Sequence, residues 1–161
     1  MTIGKALTLE LKIENPGPEP LPCEIALHSY LVVSDVRRVQ LHGLEQTDYL
    51  DKMAGFRRKT QPDAPVTFTA ETDRIYLNTD AACRVVDVGK RRHVALEKTG
   101  SDTTVVWNPW VDKARAMPDF ADHDWPRMVC VETANAAENA LRIPPGDSHL
   151  LSATLWAEAV G

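Results

Sequence analysis

Hydrophobic and polar residues alternate with a period of two along much of the chain. The pattern is plainest where Leu7, Leu9, Leu11 and Ile13 interleave with Thr8, Glu10, Lys12 and Glu14. Successive side chains of a strand point to opposite faces, so this segment predicts a strand with one buried face. Asn15-Pro16-Gly17-Pro18-Glu19-Pro20 ends it, because proline removes ladder donors and glycine permits the turn. Cys23 to Val33 then resumes the pattern, and the two segments predict a hairpin around a rigid, proline-rich loop. Further strands are expected at Val36 to His42, Val66 to Thr72, Arg74 to Leu77, Ala82 to Val88, His93 to Lys98, Thr103 to Trp107, Met128 to Thr133 and Ser148 to Ala157. Only Val111 to Met117 has a helical pattern, which Pro118 would end. Tyr49 to Gln61 has no clean period and is expected to be a long surface loop in which Arg57, Arg58 and Lys59 are solvated. Many short strands separated by turn signals predict an all-β sandwich.

Composition narrows the class. At 161 residues the chain is expected to form one domain over residues 1–161 with a core of its own. Eighteen basic residues stand against 23 acidic ones, a formal net charge of −5, which argues against a footprint for nucleic acid. Cys23, Cys83 and Cys130 are odd in number, lack CxxC spacing and are expected to be reduced, buried thiols. The first residues lead straight into a strand pattern, and no apolar run is long enough to span a bilayer. The expectation is a soluble, cytoplasmic protein without a membrane partner.

Two strands each carry one acid/base group among apolar neighbours: His28 in Ala26-Leu27-His28-Ser29-Tyr30, and Glu132 in Val129-Cys130-Val131-Glu132-Thr133. Alternation turns His28 away from Ile25, Leu27 and Leu31. It is either a half-exposed strand histidine bonded to a neighbour or a working acid/base group. An unpaired carboxylate on a buried strand is costly, so Glu132 should be paired or should face a polar pocket. Brought to one pocket, an imidazole and a carboxylate could move two protons in concert, which is what opening a sugar ring requires. Asp73, at a strand end, either holds sugar hydroxyls or caps a turn and pairs with Arg74. Trp107 and Trp110 flank a polar turn and either stack on a sugar or belong to the core.

The ordered segments ALHSY (26–30), YLDK with FRRKTQ (49–52 and 56–61), ETDRIYL (71–77), VVWNPW (105–110) and MVCVETANA (128–136) closely resemble the D-hexose-6-phosphate mutarotases. These are glucose-6-phosphate 1-epimerases of the galactose mutarotase-like superfamily. The resemblance covers nearly the whole chain but only the C-terminal part of that family. It implies a β-sandwich of the supersandwich type, truncated at its N-terminus, with no metal and no organic cofactor. It further implies that His28 protonates the ring oxygen as general acid, Glu132 takes the anomeric proton as general base, and Asp73 binds the sugar. The substrate implied is a phosphorylated hexose. In the family, the part that this chain does not resemble holds a second active-site histidine and the arginines that bind the phosphate, so weak or no activity is expected. The other function class is a non-catalytic sugar-binding or interaction module. Truncation also implies uncovered strand edges, and with them a homodimer through strands near Leu7 to Ile13 or near Leu150 to Trp156.

Overall fold

The computed structural model describes residues 1–159; Val160 and Gly161, the end of the expected 1–161 unit, lie outside the described residues. The strands in chain order are β1 (Thr2–Ile3), β2 (Leu7–Glu14), β3 (Leu21–Cys23), β4 (Ile25–Leu27), β5 (Tyr30–Val32), β6 (Gln40–His42), β7 (Asp48–Asp51) and β8 (Arg57–Thr60). They continue with β9 (Thr72–Leu77), β10 (Cys83–Asp87), β11 (Arg92–Thr99), β12 (Thr103–Asn108), β13 (Met128–Asn135), β14 (Leu141–Ile143) and β15 (Ser148–Ala159). One helix, α1 (Trp110–Ala116), stands close to its expected place.

Two antiparallel sheets make the sandwich. One runs β1-β2-β15-β11-β10-β6; the other runs β4-β13-β12-β9-β7-β8, with β5 also pairing β13. Leu41, Val85, Leu96 and Leu155 from the first sheet meet Tyr76, Val106, Val129 and Val131 from the second, and Val36, Leu44 and Phe68 from the connections fill the same core. Burial of these aliphatic and aromatic side chains is the main force holding the sheets together. On β13, Val129 and Val131 enter this core, so Cys130, Glu132 and Ala134 are turned to the opposite face of the sheet.

Several expectations are corrected. β2 pairs with β1 and β15, not with the segment after the proline loop, so the first expected hairpin does not form. Asn15 decides this locally: its amide donates to the Glu19 and Ile143 carbonyls, and its Oδ1 accepts from Gly17 N–H, stapling the loop to the end of β14. The expected strand from Cys23 to Val33 is three pieces, the first of which, β3, leaves to pair with β14. Val36–Arg38 is a 3₁₀ turn capped by Asp35, whose side chain accepts from Arg37 N–H, and pairing starts only at Gln40. Between Val66 and Thr72 a single bridge, Leu41 to Val66, forms before β9 begins; Val66 and Phe68 are buried, so the alternation there reports burial without a ladder. Tyr49 to Gln61 is not a loop but the hairpin β7–β8, turned by a 3₁₀ segment at Lys52–Ala54 and by Gly55 at φ 65°. Its outer strand, β8, is exposed throughout and carries Arg57, Arg58 and Lys59, charges of the kind that keep a sheet edge from recruiting another strand. The three cysteines are free, but Cys23 is only half-buried. Of the two strands expected at a dimer interface, β15 is paired on both sides, and only β2 offers an open edge, from Leu9 onward.

Candidate active site

The face of the second sheet turned away from the core carries a cleft of about 530 Å³. It exists because alternate residues of four adjacent strands point outward together: Asp73 and Ile75 from β9, Val105 and Trp107 from β12, Glu132 and Ala134 from β13, and His28 and Tyr30 from the β4–β5 run. The three residues proposed from sequence therefore share one cleft.

His28 falls in a two-residue gap between β4 and β5, yet the register is continuous across it. Leu27 stands opposite Thr133 and Tyr30 opposite Cys130, which sets His28 opposite Glu132. Cross-strand neighbours on one face lie close enough to interact directly. Here the His28 Nδ1 to Glu132 Oε1 distance is 3.1 Å, with the imidazole 58% exposed and the carboxylate 8% exposed. His28 is thus both a half-exposed strand histidine bonded to a neighbour and a member of the cleft. Burial pushes the Glu132 carboxyl above its usual range, Asp73 adds to that push, and His28 and Lys52 oppose it. The result is a carboxylate with raised proton affinity in hydrogen-bond reach of an imidazole, an arrangement able to exchange protons with a bound hydroxyl.

Asp73 does not pair with Arg74. Its Oδ2 lies 2.6 Å from Lys52 Nζ, whereas Arg74 turns to Gln61 and lies over the Tyr49 ring. Lys52 was not singled out from the sequence, although it is the last residue of the YLDK segment; it enters the cleft because the 3₁₀ turn after β7 continues the row that sets Asp51 opposite Arg74. Tyr30, whose ring meets Trp107 edge-on at 6.1 Å, was also legible from its two-residue spacing to His28. The two indoles flanking the polar turn divide: Trp107 lines the cleft, and Trp110 stacks on Trp125 at 4.4 Å against the core. Cys130, on the same side of β13 as Glu132, is fully buried, and burial raises its thiol far above the usual range, so it stays protonated and is no nucleophile. Among the described residues, no group of three or more His, Cys, Asp or Glu side chains could hold a metal ion, and no helix is long and apolar enough to cross a membrane.

The sequence pattern of the aldose 1-epimerase family matches residues 1–156. A protein of Cenchrus ciliaris named "Putative glucose-6-phosphate 1-epimerase" is 36% identical over 142 residues, covering 88% of this chain and 43% of that protein. A protein of Escherichia coli K12 with the same name is 31% identical over 148 residues, covering 92% of this chain and 49% of that one. A crystal structure from Salmonella typhimurium described as a "putative mutarotase" superposes with a TM-score of 0.88 at 27% identity, over 98% of this chain and 51% of that chain. The chain spans about half the length of the curated relatives it matches.

Proposed function

The chain belongs to the aldose 1-epimerase family, and on that premise we propose that its cleft interconverts the anomers of a hexose by general acid/base ring opening, with His28 and Glu132 moving the protons and Asp73 holding the sugar. The observation that carries this reading is the His28–Glu132 pair, 3.1 Å apart in a cleft that Asp73 also lines. With His28 Nδ1 on Glu132 Oε1, the imidazole Nε2 and the carboxylate Oε2 are left for substrate. Glu132 takes the anomeric hydroxyl proton while His28 gives one to the ring oxygen. The C1–O5 bond breaks, C1 becomes an aldehyde, rotation about C1–C2 presents its other face, and ring closure runs with the roles reversed. Both transfers happen at atoms bonded to C1, so two adjacent groups suffice.

The names of the relatives support a hexose 6-phosphate as substrate. Among the described residues Lys52 is the one Lys or Arg side chain that lines the cleft, and it is paired with Asp73, so a phosphate there would compete with that carboxylate for it. Exchange is therefore expected to be slow. The test is anomer exchange of D-glucose and of glucose 6-phosphate, followed by NMR. The wild type should accelerate exchange measurably at less than about 10 per second, and His28→Ala or Glu132→Gln should each lower the rate by about 10²–10⁴-fold. A measurable wild-type rate that survives both substitutions would overturn the role assignment. Saturable sugar binding with no acceleration would instead favour a binding module.

Half-length coverage of the relatives supports placing the described sandwich as the C-terminal part of the family's longer domain. The open edge of β2 supports self-association. Two copies laid antiparallel about Leu11 would set Glu10 against Lys12 in both directions and Leu9 against Ile13, a self-complementary pattern of charge and apolar contact. Free thiols fit a reducing compartment such as the cytoplasm.

A further inference from the structure

Lys52 and Asp73 stand in one cross-sheet row with Trp107, Cys130 and Tyr30. His28 and Glu132 stand in the row two residues along and two strands across, with Val105 and Ile75. Strand spacing and rise place the nearest members of the two groups, Asp73 and Glu132, about 12 Å apart at the backbone, along the sheet diagonal. Glu132 and Asp73 both line the cleft, and Trp107 and Val105 of β12 lie between their two strands.

The Lys52–Asp73 pair is unusual for a cleft wall. It is an ion pair at 2.6 Å with the ammonium 39% and the carboxylate 17% exposed, so both retain unused hydrogen-bonding capacity toward the cleft. An ammonium has three donors and a carboxylate oxygen accepts more than one bond. Side by side, they offer one donor and one acceptor at a spacing that suits two neighbouring ring hydroxyls, one accepting from Lys52 and the next donating to Asp73. Charge-assisted bonds of this kind are the strong ones.

We propose that Lys52 and Asp73 together form a clamp for a vicinal diol, and that Lys52 is thereby a specificity-determining residue of the site. The inference rests on the reading that His28 and Glu132 address the anomeric end of the ring. The atoms across a pyranose from C1 and O5 are C4 and C3, so the diol held is the C3–C4 pair. The ligand class is an aldose with both of these hydroxyls free. The clamp commits Lys52, the one Lys or Arg lining the cleft among the described residues, to hydroxyls, so Lys52 is assigned to the ring and not to a phosphate.

The test is binding, read from NMR shifts of the protein on titration with D-glucose and with its 2-deoxy, 3-deoxy and 4-deoxy analogues, in the wild type, Lys52→Met and Lys52→Arg. The expected result is that loss of the 3- or the 4-hydroxyl weakens wild-type binding by about ten- to a hundred-fold and loss of the 2-hydroxyl weakens it less. Lys52→Met should bind D-glucose as weakly as the wild type binds the 3- and 4-deoxy sugars, with little further loss on those analogues. Lys52→Arg, which keeps the charge and the donors, should retain the wild-type order of preference. Equal binding of all four sugars, undiminished glucose binding by Lys52→Met, or no saturable shift with any of them would overturn the clamp. Preferential binding without anomer exchange would leave the clamp standing and remove the acid/base reading, so the two fail separately.

Discussion

Glu132 must be buried to gain proton affinity, and that burial has a cost that can be measured apart from catalysis. Its folded carboxyl titrates above its unfolded one, so between the two values the folded protein holds more protons than the unfolded chain. Stability therefore falls as pH rises through that window, starting near the ordinary value of 4.5, and stays lower above it. Glu132→Gln removes the charged form, and we expect its Tm at pH 7 to exceed that of the wild type by about 2–4 °C while the gap closes below pH 4; a lower Tm at pH 7 would contradict the burial argument. Glu132 was legible in the sequence because one carboxylate among Val129, Cys130 and Val131 is a conspicuous expense. Lys52 was not, since it follows Asp51 in a mixed-charge segment in which Lys59 pairs with Asp51 and Arg58 with Asp48. Its partner Asp73 arrives only through the pairing of β7 with β9, which no local pattern encodes.

At the scale of elements, the cleft rim depends on how the chain returns from β12 to β13. Asn108 is fully buried at the end of β12; its amide donates to the carbonyls of Trp125 and Met128, and its Oδ1 accepts from Trp110 N–H. One side chain thus fixes the start of α1, the turn before β13 and β13 itself, and with them Met117, which lines the cleft. We expect Asn108→Ala to cost about 2–3 kcal/mol and lower Tm by about 5–10 °C, because it orphans three backbone groups, the Met128 carbonyl among them fully buried; amide exchange should rise first in residues 109–127. Strands at the centre of each sheet, β9 through β12 and β15, were visible in the alternation because packing on one face imposes it, whereas β13, buried at every position, was visible as a mostly apolar run. The β7–β8 hairpin was not, because β8 is an exposed edge whose Arg57-Arg58-Lys59 run answers to solvent. The β4–β5 gap was invisible for the opposite reason: His28 and Ser29 continue the register without joining either strand.

For the molecule as a whole, the sandwich is well closed at one end and open at the other. Leu41, Val85 and Leu96 near β6 and β10 are completely covered, whereas on β2 Leu11 is 36% exposed and Leu9 and Ile13 on the same face are only half-covered. Sedimentation across a dilution series should show a dimer that dissociates, and Lys12→Glu, which sets like charges opposite in the symmetric register, should weaken it while leaving the monomer folded; a wild type that stays monomeric at high micromolar concentration would exclude the pairing. The two faces of β13 carry a longer-term consequence. Val129 and Val131 answer to the core, and Glu132 and Ala134 answer to the cleft, although all lie on one buried strand. Selection on folding and selection on chemistry therefore fall on alternate letters of the same word. Because the residues that pack the core and those that face the cleft alternate along β13, a lineage can remodel the cleft at a position such as Ala134 while Val129 and Val131 go on holding the two sheets together.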